Sequence, residues 1–298
     1  MTRSKLISIL SILTGLFAAA SAAAGLLLTG GGSGPFDFTT LHGSVSEIYG
    51  RGVYALNPAF KVPIFRGTDA VMLLIMLPAL IYALSLYRRG GLRGRVLLPA
   101  VLVIFLYNAA TNALGVTYNN LVLLYIVYFS ASLFAFILAF SAVDQRAVAN
   151  SIGARFPERG TAIFLFVAGS SVLIWLADII GGLLAGGAPE TLGPYTTEVT
   201  YVFDLAIILP AAYAAGVLLL RRKPLGYLLA AVILVLNAAI AMIVTGQTVM
   251  QTLAGIVLSP GQYIGYMGTF VVMGIAAIFF ITRLLGSLPA AAERARKR

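Results

Sequence analysis

Cysteine is absent from the 298 residues, and histidine occurs once, as His42. Without a thiol there is no disulfide, no thiolate metal ligand, no C-x-x-C redox pair and no cysteine nucleophile, so every loop is held by packing and hydrogen bonds. A single imidazole excludes paired-histidine haem ligation, an H-E-x-x-H zinc site and a Ser-His-Asp triad within the membrane. No G-x-x-x-x-G-K-[ST] run occurs, so the chain lacks the phosphate cradle of an ATP-driven motor. Lysine is scarce: Lys5, Lys61, Lys223 and Lys297 all fall outside the apolar runs, which leaves no buried amine for a Schiff base. No cofactor is expected.

Charge is scarce as well. Only 10% of residues are charged and 60% are apolar, against about 25% charged in soluble domains. Lipid is therefore the solvent to reason about. The net charge of +10 would suggest nucleic acid in a soluble protein, but here the basic residues sit in short clusters between apolar runs, as topology determinants do. Nucleic acid is set aside and the lipid bilayer is the expected partner.

A helix needs about 20 apolar residues to cross a bilayer, and about eight runs approach that length: 6–28, 70–87, 96–115, 121–142, 161–185, 203–220, 226–246 and 263–285. They are continuously apolar, unlike the alternating segments of a β-barrel. The expected fold is an all-α polytopic transmembrane bundle forming one domain. Arg3, Lys5, Arg88, Arg89, Arg93, Arg95, Arg146, Arg155, Arg159, Arg221, Arg222, Lys223, Arg283 and the tail 286–298 with Arg294, Arg296, Lys297 and Arg298 fall on one side, against Arg51, Lys61 and Arg66 on the other. The positive-inside rule then puts both termini in the cytoplasm. The first run also resembles a secretory signal, with small residues at Ala18-Ala19-Ala20 or Ala22-Ala23-Ala24. Its length exceeds the usual h-region of about 7–15 residues, so it is expected to stay as a span; cleavage would leave seven.

Residues 29–68 form the one long extramembrane segment, opening on the flexible Gly30-Gly31-Gly32-Ser33-Gly34-Pro35 and carrying Phe36, Phe38, Tyr49, Tyr54, Phe60 and Phe65. It is expected to lie over helix ends, with a lid over an outward-facing site as the alternative. Asp69, Pro78 and Arg88-Arg89 in the second run are echoed by Asp204, Pro210 and Arg221-Arg222 in the sixth. That echo admits two parallel four-helix halves with a site between them. It is also what independent outside-to-inside helices use at start, middle and end, Asp69 and Asp204 then being N-caps.

Polar residues within the runs are costly, about 2.5–3.5 kcal/mol for a mid-membrane Asp. Asn108 and Asn112 share a helix face, edged by Tyr107 and Thr111. Ser171, Trp175 and Asp178 share another, while Asp204 starts the sixth run and Gln247 with Gln251 extends the seventh. Apart from Arg283 at the end of the last run, Asp178 has no basic residue in the runs to neutralise it, so it is expected to be protonated, wet or bound to a cation. The candidate substrate- or ion-binding set is Asp178, Asn108, Asn112, Asp204, Gln247 and Trp175, for a small molecule or a cation; structural hydrogen bonding between helices is the plainer reading of the amides. Tyr125 and Tyr128 are read as an interfacial belt. Gly261 and Gly265, with Gly181, Gly182 and Gly186, are read as close helix packing, and Pro78, Pro99 and Pro210 as kinks.

Several stretches resemble a family of uncharacterised prokaryotic multi-pass membrane proteins: Arg66-Gly67-Thr68-Asp69, Arg88-Arg89-Gly90, Leu92-Arg93-Gly94-Arg95, Tyr107-Asn108, Gly115-Val116-Thr117-Tyr118-Asn119 and Phe129-Ser130-Ala131-Ser132-Leu133-Phe134. The likeness spans residues 47–140 and, more loosely, Asp204 to Tyr227. It implies a prokaryotic cytoplasmic membrane and carries no activity, ligand or protein partner. Three functions stay open: a transporter or permeation protein with an outward-facing polar cavity, a non-catalytic subunit or sensor presenting the 29–68 loop, and an intramembrane lipid-modifying enzyme using Asp178 and Asp204.

Overall fold

The computed structural model describes residues 2–153, 156–256 and 259–289; Arg155 and the tail basic residues Arg294, Arg296, Lys297 and Arg298 lie outside them. Among the described residues eight helices are long and apolar enough to cross a membrane: α1 Arg3–Leu27, α2 Val62–Arg88, α3 Leu92–Gly115, α4 Val122–Ser141, α5 Glu158–Leu184, α6 Val199–Leu220, α7 Pro224–Leu253 and α8 Tyr263–Ser287. The chain is thus a multi-pass membrane protein with an all-α bundle. Helices are the fold these runs can take in lipid, because each satisfies its backbone hydrogen bonds within itself. Alternate helices run in opposite directions, so one end of the bundle gathers Arg3, Arg88, Arg93, Arg221 and Arg283. The other carries an antiparallel hairpin of β1 Phe36–Thr39 and β2 Val45–Ile48, with Phe36 opposite Ile48 and Thr39 opposite Val45.

Two apolar clusters make the core. One joins α1, α2, α3 and α4; the other joins α5, α6, α7, α8 and the short helix Gln145–Ser151. α7 contributes to both through Leu236 and Ala239 on one side and Leu228, Ala231 and Leu234 on the other. Close approach is set by glycine. A Cβ at Gly67 would run into the α7 backbone at Gly246 and Gln247, and one at Gly274 would meet Ala241. Gly261 and Gly265 have no such neighbour, and of the glycines near the end of α5 only Gly182 is crowded, by Pro189. The tight seams therefore lie elsewhere than those glycine spacings suggest.

The echo between the second and sixth runs is a repeat in the backbone. In α2 a π-helical turn, Met72–Met76, immediately precedes Leu77-Pro78; in α6 the π turn Asp204–Ile208 immediately precedes Leu209-Pro210. Proline lacks an N–H and its ring crowds the carbonyl four residues back, so a wider turn placed there relieves both problems. The same chain offset that relates Pro78 to Pro210 relates Gly90 to Arg222, both at positive φ between helices, and Gly94 to Gly226. Those two glycines let α3 and α7 start flat against the ends of α2 and α6, the first at Leu86 and the second at Leu218. At this offset Asp69 corresponds to Tyr201, not to Asp204, which sits one turn further along. Nor is either aspartate an N-cap: the helices begin at Val62 and Val199, with Lys61 and Glu198 in the cap positions.

The two halves differ in how tightly they close. α1 packs along α4 with its small face of Ser11, Thr14, Gly15, Ala18, Ser21, Ala22 and Gly25 buried. The counterpart contact, α5 with α8, is slighter and involves the first part of α5. α5 breaks at Val172 and Leu173, and its remaining turns, Ile174–Leu184, bury no residue. The hairpin end of the second half is therefore the looser part of the bundle. Gly67→Val is expected to destabilise the fold by about 1–3 kcal/mol through overpacking against α7, while Gly181→Ala, with open space around it, leaves stability unchanged. Thermal unfolding in nanodiscs checks both.

Candidate functional site

Among the described residues the ion pairs are Lys61 with Glu198 and Arg222 with Glu158. Asp69, Asp178 and Asp204 belong to neither. Each is held by neutral donors instead.

Asp204 is 8% exposed. Its Oδ1 accepts from the Tyr107 hydroxyl of α3 at 3.1 Å and its Oδ2 from the Trp175 indole Nε1 of α5 at 2.9 Å. One carboxyl thus ties three spans together, at the first residue of a π turn whose backbone is already widened. The Trp175 ring stacks on Tyr201 at 4.8 Å between centroids and 19° between planes. Tyr201 in turn donates to Asp178 Oδ2, which also accepts from Thr191 at 2.7 Å. Asp178, Tyr201, Trp175, Asp204 and Tyr107 form one continuous line of contacts. It leads from a pocket of about 200 Å³, lined by Thr191, Thr197, Glu198 and Tyr201 among others, into the bundle.

Asp69, 3% exposed, is the second buried carboxyl. Tyr54 reaches down from the loop after β2 and donates to its Oδ2 at 2.6 Å. Gly25 of α1 makes the room: a Cβ there would collide with both groups. The loop that delivers Tyr54 is pinned by Asn57, fully buried, whose Oδ1 accepts from the Thr117 amide at 3.0 Å and the Tyr195 hydroxyl at 2.8 Å. Lys61 lies over the Tyr195 ring at 4.5 Å while pairing with Glu198. The 29–61 segment is thus fastened to the α3–α4 turn and to the α5–α6 loop.

Of the residues singled out from the sequence, Asp178, Trp175 and Asp204 come together. The amides do not join them. Asn108 accepts from Tyr128 of α4 at 3.1 Å, Asn112 donates to Ser21 of α1 at 3.4 Å, and Gln247 donates to Thr68 of α2 at 2.8 Å. Tyr107 faces α6 while its neighbour Asn108 faces α4, so α3 divides the polar residues between the halves. Tyr125 and Tyr128 are buried at 3% and 0% and belong to this interior, not to an interfacial belt. Tyr54 stands out in the sequence as a loop aromatic and not as a site residue, and Thr191 and Tyr201 do not stand out at all; for Tyr201 a signal is present, an aromatic three residues before an acid on one helical face. No three His, Cys, Asp or Glu side chains gather as metal ligands among the described residues.

Comparison with protein-family models, curated proteins and solved structures finds no match. Function is therefore read from these side chains.

Outside the spans, burial and then the neighbouring Asp69 push the Tyr54 phenol well above the ordinary tyrosine range, and burial and then Glu198 raise Tyr195. Below about pH 10 both phenols are protonated in the folded and unfolded chain alike. Above it the unfolded chain releases protons that the folded one retains, so stability falls as pH rises. Tyr54→Phe is expected to flatten that alkaline loss. At neutral pH it lowers stability by about 1–3 kcal/mol, because Asp69 loses its donor. Unfolding midpoints across the alkaline range check both effects.

Proposed function

We propose that this protein is a secondary transporter that couples movement of a small solute to binding of a proton or monovalent cation at Asp204. The observation that carries the reading is a buried carboxyl at the π turn of α6, held among the described residues by Tyr107 and Trp175. A carboxyl in an apolar bundle with no basic partner has two ways to be stable, as the acid or beside a cation, and exchanging one state for the other is the elementary step of ion coupling. Hydroxyl and indole donors stabilise the anion without holding it permanently, unlike an arginine.

Three features support the reading further. The repeat of α2–α3 in α6–α7 is the kind of internal duplication around which transporters build a site. The π turn beside a proline is a point where a helix bends at low cost. The unburied second part of α5, carrying Trp175 and Asp178, can shift without dismantling a packed core. In this reading Asp178, Tyr201 and Thr191 line the approach to Asp204, and Asp69 is a sealed counterpart that fastens the loop.

Proteoliposomes on a solid-supported membrane, given a pH jump or a Na⁺ jump, test this without knowledge of the solute. The wild-type protein is expected to give a transient current from charge entering the site. Asp204→Asn reduces it about ten-fold or more, the factor that loss of about 1.4 kcal/mol of ion binding corresponds to; Asp37→Asn, on the exposed hairpin, leaves it intact. Full-size currents in Asp204→Asn would exclude this residue as the coupling site.

A subunit or sensor role has one observation in its favour. The hairpin holds Phe36, Phe38, Leu41 and Val45 exposed, at 42%, 43%, 84% and 67%, which is unusual for a segment surrounded by water. In that case a protein partner copurifies from native membranes in fixed stoichiometry and is lost on replacing Phe36, Phe38 and Leu41 with serine.

A further inference from the structure

A second pocket lies outside the carboxyl line. It measures about 620 Å³ and sits at the hairpin end of the first half, lined by Leu28, Gly30, Gly31, Gly32, Gly52, Val53, Ala55, Leu56 and the turn Tyr118-Asn119-Asn120-Leu121. That volume falls within the ~300–1,000 Å³ of small-molecule sites. We propose that this pocket binds a neutral sugar, presented free or as the head group of a lipid.

The lining decides the chemistry. No Asp, Glu, Lys or Arg contributes to it, so an ionic ligand would be desolvated there without a counter-charge. A sugar needs an aromatic or aliphatic face for its C–H surface and alternating donors and acceptors for its rim. Tyr118, 76% exposed, supplies the ring. Leu28, Val53, Leu56 and Leu121 supply an aliphatic wall. Asn119 is already used, its Oδ1 accepting from the Leu121 amide at 2.8 Å and its Nδ2 donating to the Thr117 carbonyl at 3.3 Å. That fixes the turn and leaves the Asn120 amide, which can donate and accept, with no partner among the described residues.

The glycine run completes the rim. Gly31 and Gly32 take φ of +82° and +94°, conformations that exclude most side chains. Gly30 and Gly32 line the pocket, and their amides reach no acceptor among the described residues. Gly52 at φ +62° lies beside the run and donates to the Gly31 carbonyl at 3.3 Å. The site also lies where a membrane ends. Leu27 at the end of α1 and Leu123 at the start of α4 are 77% and 74% exposed and apolar, while Tyr118 and Asn120 stand at the polar level above them. A sugar on a lipid reaches this pocket from the bilayer, and a free one reaches it from water.

Saturation-transfer NMR on the full chain in phosphatidylcholine nanodiscs, with methyl β-maltoside as the probe, tests the proposal. Transfer to the sugar ring protons is expected. Tyr118→Ala and Asn120→Ala, both exposed and so compatible with folding, weaken binding about ten-fold; Tyr118→Trp restores the stacking contact and the signal. A second set of nanodiscs doped with glucosyl diacylglycerol separates the sources. Loss of the maltoside signal there identifies the lipid-borne sugar, and its persistence identifies the free one. Absence of transfer in undoped nanodiscs, or transfer unchanged by Tyr118→Ala, overturns the proposal.

Discussion

A carboxyl placed inside an apolar bundle has to be given hydrogen-bond donors, and among the described residues neither Asp69 nor Asp204 forms an ion pair with an arginine or lysine. Much of the hairpin-end architecture follows from that constraint. Asp204 draws Tyr107 and Trp175 from two other spans, which sets how α3, α5 and α6 approach one another. Asp69 draws Tyr54 down from the loop, and this in turn requires Gly25 to have no side chain. The segment that delivers Tyr54 is then fixed by Asn57 and by the Lys61–Glu198 pair. Replacing such an acid with an apolar residue would remove a cost of burial.

The two carboxyls sit in unequal surroundings. α2–α3 and α6–α7 share the π turn, the Leu-Pro step, the positive-φ link and the glycine contact, so both halves are built on one helical hairpin. The first half is closed by α1, α4 and the loop, and Asp69 lies sealed under Tyr54. In the second half the later turns of α5 bury nothing. Asp204 is therefore held by Trp175 from a segment of α5 that buries no residue.

The eight spans could be read from the chain because lipid selects on composition, and uninterrupted apolar runs report composition directly. The echo of Asp, Pro and Arg in two of them was visible too, although its register was not; the π turns and glycine contacts that fix the offset are backbone features with no residue signature of their own. Which way each polar residue faces was hidden for a physical reason. In lipid both the outer surface and the core are apolar, so the pattern that marks a buried face in a soluble helix is weak. Trp175 and Asp178 could be placed on one face from spacing alone, but the division of α3 between Tyr107, facing α6, and Asn108, facing α4, could not. Tyr125 and Tyr128 were misplaced by the same ambiguity, since a tyrosine near a helix start suits a lipid interface as well as a buried acceptor. The β-hairpin was missed because Phe36–Thr39 and Val45–Ile48 are short and flanked by glycine, and no buried face gives them an alternating pattern.

Infrared difference spectroscopy of the protein in nanodiscs, recorded as H⁺ is exchanged for Na⁺, observes the central group directly. The account predicts a carboxyl C=O band that responds to the exchange, vanishes in Asp204→Asn and persists in Asp69→Asn. A spectrum identical with and without the carboxyl at position 204 would contradict it.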